Sequence, residues 1–142
     1  MEAKMRRFFC WFMVLLAFSC GTIRLTPTTE LVDKVWEFSQ SHPKGFTLEL
    51  STWTEPTEGI SVAYEQVESC VDYSGLELVI IHALSHEGYV GGWFNTGDSL
   101  YYFDSVRIFP IDSLDAAIRF GQANGQIAIY NLSTGEEIRL IE

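Results

Sequence analysis

Residues 87–109, EGYVGGWFNTGDSLYYFDSVRIF, decide how this chain folds. Two apolar-aromatic runs, residues 89–94 and 100–109, flank the cluster Asn95-Thr96-Gly97-Asp98-Ser99. Aromatic and β-branched side chains suit a pleated, half-buried strand, and an Asn/Gly/Asp/Ser cluster between two such runs is turn chemistry. The stretch therefore reads as a β-hairpin. Helical patterns flank it on both sides, which puts the hairpin at the centre of an antiparallel sheet.

Working outward, residues 29–41 place Leu31, Val35 and Phe38 at helical spacing. Thr28 or Thr29 can cap that helix, Glu30 and Asp33 suit the dipole of its first turn, and His42-Pro43-Lys44-Gly45 stops it. Residues 46–53 alternate, with Phe46, Leu48 and Leu50 on one side, as a half-buried strand does. A turn over 55–59 returns the chain as a second strand over 60–67, and a polar loop over 68–73 holds Cys70. Ser74-Gly75-Leu76-Glu77 matches a capping box, predicting a helix that runs to about Glu87 and ends at Gly88.

Beyond the hairpin, residues 113–124 read as a third helix capped by Asp112 or Ser113 and ended by Asn124-Gly125. Residues 126–132 alternate as a strand, 133–136 turn, and 137–141 return as a short last strand. The order is α-ββ-α-ββ-α-β(β). Hairpins separated by helices predict an α+β domain: one mainly antiparallel sheet with about three helices, packed chiefly on one face.

The chain divides into residues 1–19, a tether over 20–28 and a single domain over 29–142. Lys4, Arg6 and Arg7 precede the apolar run from Phe8 to Phe18, which is shorter than the ~20 residues a membrane-spanning helix needs. Its length and flanks are those of a secretory signal peptide. The run closes on Leu16-Ala17-Phe18-Ser19-Cys20-Gly21, which resembles a lipobox, the site where bacterial lipoproteins are cleaved before a cysteine that then carries lipid. The resemblance implies that Cys20 is the lipidated N-terminus, palmitate-bearing, and that the protein sits in the bacterial cell envelope, on the periplasmic or outer-membrane face. More than one acyl chain would make such an anchor durable. Cys70 would then be the lone remaining thiol, so the core has to hold without an internal disulfide. Residues 21–28 reach at most about 28 Å, which keeps the domain close to the membrane.

Charge narrows the partners. The chain has 9 Lys+Arg against 19 Asp+Glu, a net −10; losing Lys4, Arg6, Arg7 and Glu2 with the leader makes the remainder more acidic still. Nucleic-acid binders draw much of their affinity from neutralising phosphates, so nucleic acid is excluded as the natural partner. A basic protein is favoured.

Few residues carry a chemical motif. His82 and His86 are i, i+4 neighbours on the second helix, a spacing that suits two ligands, but the pair lacks the HExxH arrangement and no third ligand is fixed by spacing, so no metal site is assigned. The plainer reading has both at the edge of a buried stripe. Asp104 falls inside an apolar row of its strand; it is either turned out by a bulge or paired locally with Arg107, or it is a catalytic carboxyl. Gly91-Gly92, beside Trp93, marks a bulge, a space filled by large neighbours, or a close approach of a ligand. With Tyr101 and Tyr102 across the hairpin, these residues make a candidate aromatic binding surface.

The second half of the chain resembles a small α+β domain of unknown function found in phage and mobile-element proteins of bacteria. The residues that carry the likeness are Val90-Gly91-Gly92-Trp93, Tyr101-Tyr102-Phe103-Asp104-Ser105, residues 106–109 and Gln126-Ile127-Ala128-Ile129. It implies a common fold and a mobile-element origin, and transfers no catalytic residue or cofactor. Two functions follow. One is a membrane-anchored, non-catalytic binding domain that meets an incoming protein. The other is a small hydrolase-like enzyme using Asp104 with His82 or His86, which requires the carboxyl and a histidine to converge in one pocket.

Overall fold

The computed structural model describes residues 26–65 and 71–141. The leader, Cys20 and Cys70 lie outside the described residues. Within them the chain forms α1 (Thr29–Ser41), β1 (Gly45–Glu49), β2 (Ile60–Ala63), α2 (Tyr73–Leu84), β3 (Tyr89–Asn95), β4 (Leu100–Phe109), a 3₁₀ turn (Ile111–Ser113), α3 (Leu114–Ala123), β5 (Ala128–Asn131) and β6 (Glu136–Arg139). This is the α+β order the hairpin predicts, closed by a sixth strand.

Local chemistry sets the boundaries. Thr28 caps α1, its hydroxyl accepting from the Leu31 N–H at 3.2 Å. The cap of α2 is Asp72 rather than Ser74: its carboxylate accepts from the Gly75 N–H at 2.7 Å, and the helix starts one residue before the serine. A carboxylate caps as well as a hydroxyl and adds charge that suits the dipole. Strand β1 stops at Glu49 instead of continuing to Trp53, because the Glu49 carboxylate gathers the Ser51 and Thr52 hydroxyls at 2.9 and 3.0 Å into a tight turn. Trp53 closes that turn at φ 57°. The helix α2 ends at Leu84, and Gly88, at φ +80°, returns its N–H to the Ala83 carbonyl at 2.8 Å.

All strand pairs are antiparallel, in the order β1-β3-β4-β2-β5-β6. The β3–β4 hairpin pairs continuously from Tyr89↔Val106 to Asn95↔Leu100. Its turn is held by Asn95, which accepts from the Gly97 N–H at 2.9 Å, and by Asp98, which accepts from the Leu100 N–H at 3.0 Å. Strand β2 comes from far earlier in the chain and inserts between β4 and β5.

Cross-strand partners share a face of the sheet. Val90↔Ser105 and Gly92↔Phe103 therefore lie on one side, and Gly91↔Asp104 and Trp93↔Tyr102 on the other. All three helices cover the first side, in two clusters. α1 and α2 bury Val35, Leu76, Val79 and Ile80 against Leu48, Val90 and Phe103. α3 lays Ala117 over Ile60, Val62, Phe109 and Ile129. Among the described residues, no helix covers the second side of the sheet.

Candidate functional site

The helix-free side is strongly curled. Thr47 Oγ1 and Ser61 Oγ lie 3.4 Å apart although β3 and β4 run between their strands. In a flat sheet three interstrand spacings would separate them by ~14 Å. Gly91 is the partner of Thr47 on this face, and a Cβ added there would lie 3.1 Å from Val106 Cγ1. The missing side chain lets the sheet close inward. The result is a cleft of about 390 Å³ lined by, among others, Thr47, Ser61, Gly91, Trp93, Asp104 and Val106.

Asp104 is the charged group on the cleft's strand floor. It pairs with Gly91 in unbroken register, so no bulge turns it away from the row. The Trp93 Nε1–H donates to Asp104 Oδ2 at 3.0 Å, and no ion pair reaches Asp104 among the described residues. Burial pushes its carboxyl up to about 6, and the Trp93 bond offsets only part of that rise. The expected local partner, Arg107, is on the opposite face: its Nε lies 3.4 Å from Glu87, and its guanidinium covers the rings of Phe109 and Phe120.

Trp93 and Tyr102 stack on the open face with centroids 5.4 Å apart. The Tyr102 hydroxyl donates to Asp98 at 2.7 Å, which fixes that ring from the turn. Tyr101 does not join this surface. It belongs to the covered side, where its hydroxyl donates to the His42 carbonyl at 2.9 Å and burial pushes its phenol up to about 12. Its ring also lies over Gly92, where an added Cβ would come within 2.7 Å of the Tyr101 oxygen and 2.5 Å of Phe46. The two adjacent glycines thus have different reasons: Gly92 makes room for aromatic rings in the core, and Gly91 opens the cleft.

The histidines are also on the covered side. His82 and His86 stack at 3.9 Å, and Tyr64 packs on both at 5.0 and 4.7 Å. The His86 Nδ1–H donates to the His82 carbonyl at 2.7 Å, while His82 Nδ1 is buried without a hydrogen-bond partner among the described residues. Burial, and then His86, hold His82 below the ordinary imidazole range. Glu87 accepts from the Tyr64 hydroxyl at 2.5 Å. Asp104 and the two histidines thus have the sheet between them and do not converge. No cluster of three His, Cys, Asp or Glu side chains able to hold a metal occurs among the described residues.

Of the residues singled out in the sequence, the structure gathers Gly91, Trp93, Tyr102 and Asp104 on one face. Thr47 and Ser61 were not foreseen, because their meeting depends on sheet curvature and no local pattern records it. No family model, no curated protein and no solved structure matches this chain.

Proposed function

We propose that this chain is a membrane-anchored, non-catalytic binding lipoprotein whose acidic domain captures a basic protein on its helix-free, concave face. The observation that carries the reading is a half-buried carboxylate that has no counter-ion among the described residues, on the floor of a cleft, in a chain of net charge −10. The lipobox-like leader supplies the anchor through Cys20, and the resemblance to a mobile-element domain suggests an incoming protein as the target.

The experiment is kinetic. An oligolysine peptide is offered to the immobilised chain at low and physiological salt. Charge-steered association falls as the Debye length shrinks from ~30 Å at 0.01 M to ~8 Å at 0.15 M, whereas dissociation reports the short-range contact. Neutralising Glu55 and Glu137 at the cleft should slow association. Trp93→Ala should speed dissociation several-fold. Association that ignores salt, together with a Trp93→Ala variant that dissociates like the parent, refutes the reading. The anchor is tested separately: Cys20→Ala should abolish acylation, and an unchanged membrane fraction with an unchanged N-terminus contradicts it.

A further inference from the structure

We propose that the corner formed by Asp104 and Trp93 is a subsite for a single organic cation, the ammonium or guanidinium group of a lysine or arginine side chain presented by a basic protein. The inference rests on the binding role of the concave face and names what that face recognises.

Three observations converge. The Asp104 carboxylate lacks an ion-pair partner among the described residues, and its hydrogen bond comes from a neutral indole. A carboxylate removed from water without a cation is costly, so a cation entering the cleft gains what the protein itself leaves unmet. Next, the same hydrogen bond fixes the Trp93 ring beside the carboxylate. Tyr102 stacks on one face of that ring, and the neighbour on β1 is Gly45, which brings no side chain over it. An indole face is the best aromatic partner for an ammonium or guanidinium. Finally, the neighbouring walls, Val106, Ala63, Ala128 and Ile127, are apolar and suit the aliphatic stem of such a side chain.

The other titratable groups lining the cleft are Lys44, Glu55, Glu137 and Tyr130. Glu55 lies at the rim, 3.6 Å from His42 Nε2. Lys44 and Glu137 are solvent-exposed. Asp104 is therefore the group whose ionisation governs occupancy. With its carboxyl at about 6, about a tenth remains ionised one pH unit lower.

The test titrates the purified full-length chain in detergent with N-acetyl-lysine amide, N-acetyl-arginine amide and the uncharged N-acetyl-norleucine amide. The readout is the Trp93 indole N–H resonance, assigned with Trp93→Phe. At about pH 7.5 a charged probe should shift that resonance saturably, and norleucine amide should bind at least ~5-fold more weakly. Asp104→Asn keeps an oxygen to accept the indole N–H and should weaken the charged probes ~10-fold or more. Lowering the pH to about 5 should weaken them ~10-fold on the unaltered chain, which carries the test even where the variant does not fold. Equal binding of norleucine amide, or charged-probe binding indifferent to both Asp104→Asn and acid, overturns the subsite. Oligolysine binding by a chain that ignores all three probes overturns the subsite and leaves the binding role standing. Loss of oligolysine binding as well overturns both.

Discussion

Strands β3 and β4 serve two regions of opposite character. On the covered side Val90 and Phe103 are fully buried beneath α1 and α2, with Tyr101 and Phe46 closing over Gly92. One residue along each strand, on the open side, stand Gly91, Trp93 and Asp104. The covered side buries apolar surface to hold the fold. The open side gives up packing at Gly91 and keeps a carboxylate where its charge is disfavoured. Residues that oppose stability in this way, grouped in a cleft, are what makes the open side the candidate site.

The largest effect belongs to the covered side. Phe103→Ala removes a core aromatic and leaves a cavity, and should destabilise by ~3–5 kcal/mol in urea unfolding, enough to unfold a marginal domain. On the open side the sign should reverse. The Asp104 carboxyl sits at about 6, above the ordinary ~3.9 of an unfolded chain. Between those values the folded state holds a proton that the unfolded state has lost, so this contribution to stability falls as pH rises and stays lost above about 6. Asp104→Asn should therefore stabilise the protein by up to ~3 kcal/mol near pH 7.5 and by almost nothing near pH 4. Unfolding curves at both pH values check the amount and the slope.

The paired glycines give an intermediate test. Gly92→Ala would drive a methyl group into Phe46 and Tyr101 and should cost ~1–3 kcal/mol by overpacking. Gly91→Ala meets Val106 at 3.1 Å and should cost less, while weakening oligolysine binding by opening the curl. Reversed costs would mean that the two faces have been exchanged.

The hairpin was legible because Asn95, Gly97 and Asp98 bind their own backbone, a local interaction that sequence records directly. The first helix was legible for the same reason through Thr28. The start of α2 was misplaced because Asp72 and Ser74 are both good caps two residues apart, and local chemistry alone does not rank them. The place of β2 between β4 and β5 was not legible at all: such pairing joins segments more than forty residues apart, Ile60 to Phe109 for example, and only the assembled core selects it. The site divides in the same way. Asp104 stood out as an acid in an apolar row, but its partner Trp93 lies on the other strand, at a position only the pairing register reveals.

The smallest expected effect comes from the seam between the two core clusters. His82 is held below its ordinary range by burial and by its stacked neighbour His86. The unfolded state therefore takes up a proton at this residue first as pH falls through about 6.5, and His82 should cost stability on acidification, opposite in sign to Asp104. His82→Phe should flatten that part of the pH profile without changing oligolysine binding. A binding loss in this variant would tie the histidines to the site after all.

Mapping the contact surface by amide chemical shifts tests the division of labour between the faces most directly. The isotope-labelled chain is titrated with oligolysine at low salt, and each backbone resonance is followed. Shifts are expected at Thr47, Ser61, Gly91 and Asp104 and at the Trp93 indole, with Tyr64, His82 and His86 unchanged. Shifts centred on Tyr64, His82 and His86, with the open face silent, would contradict that division.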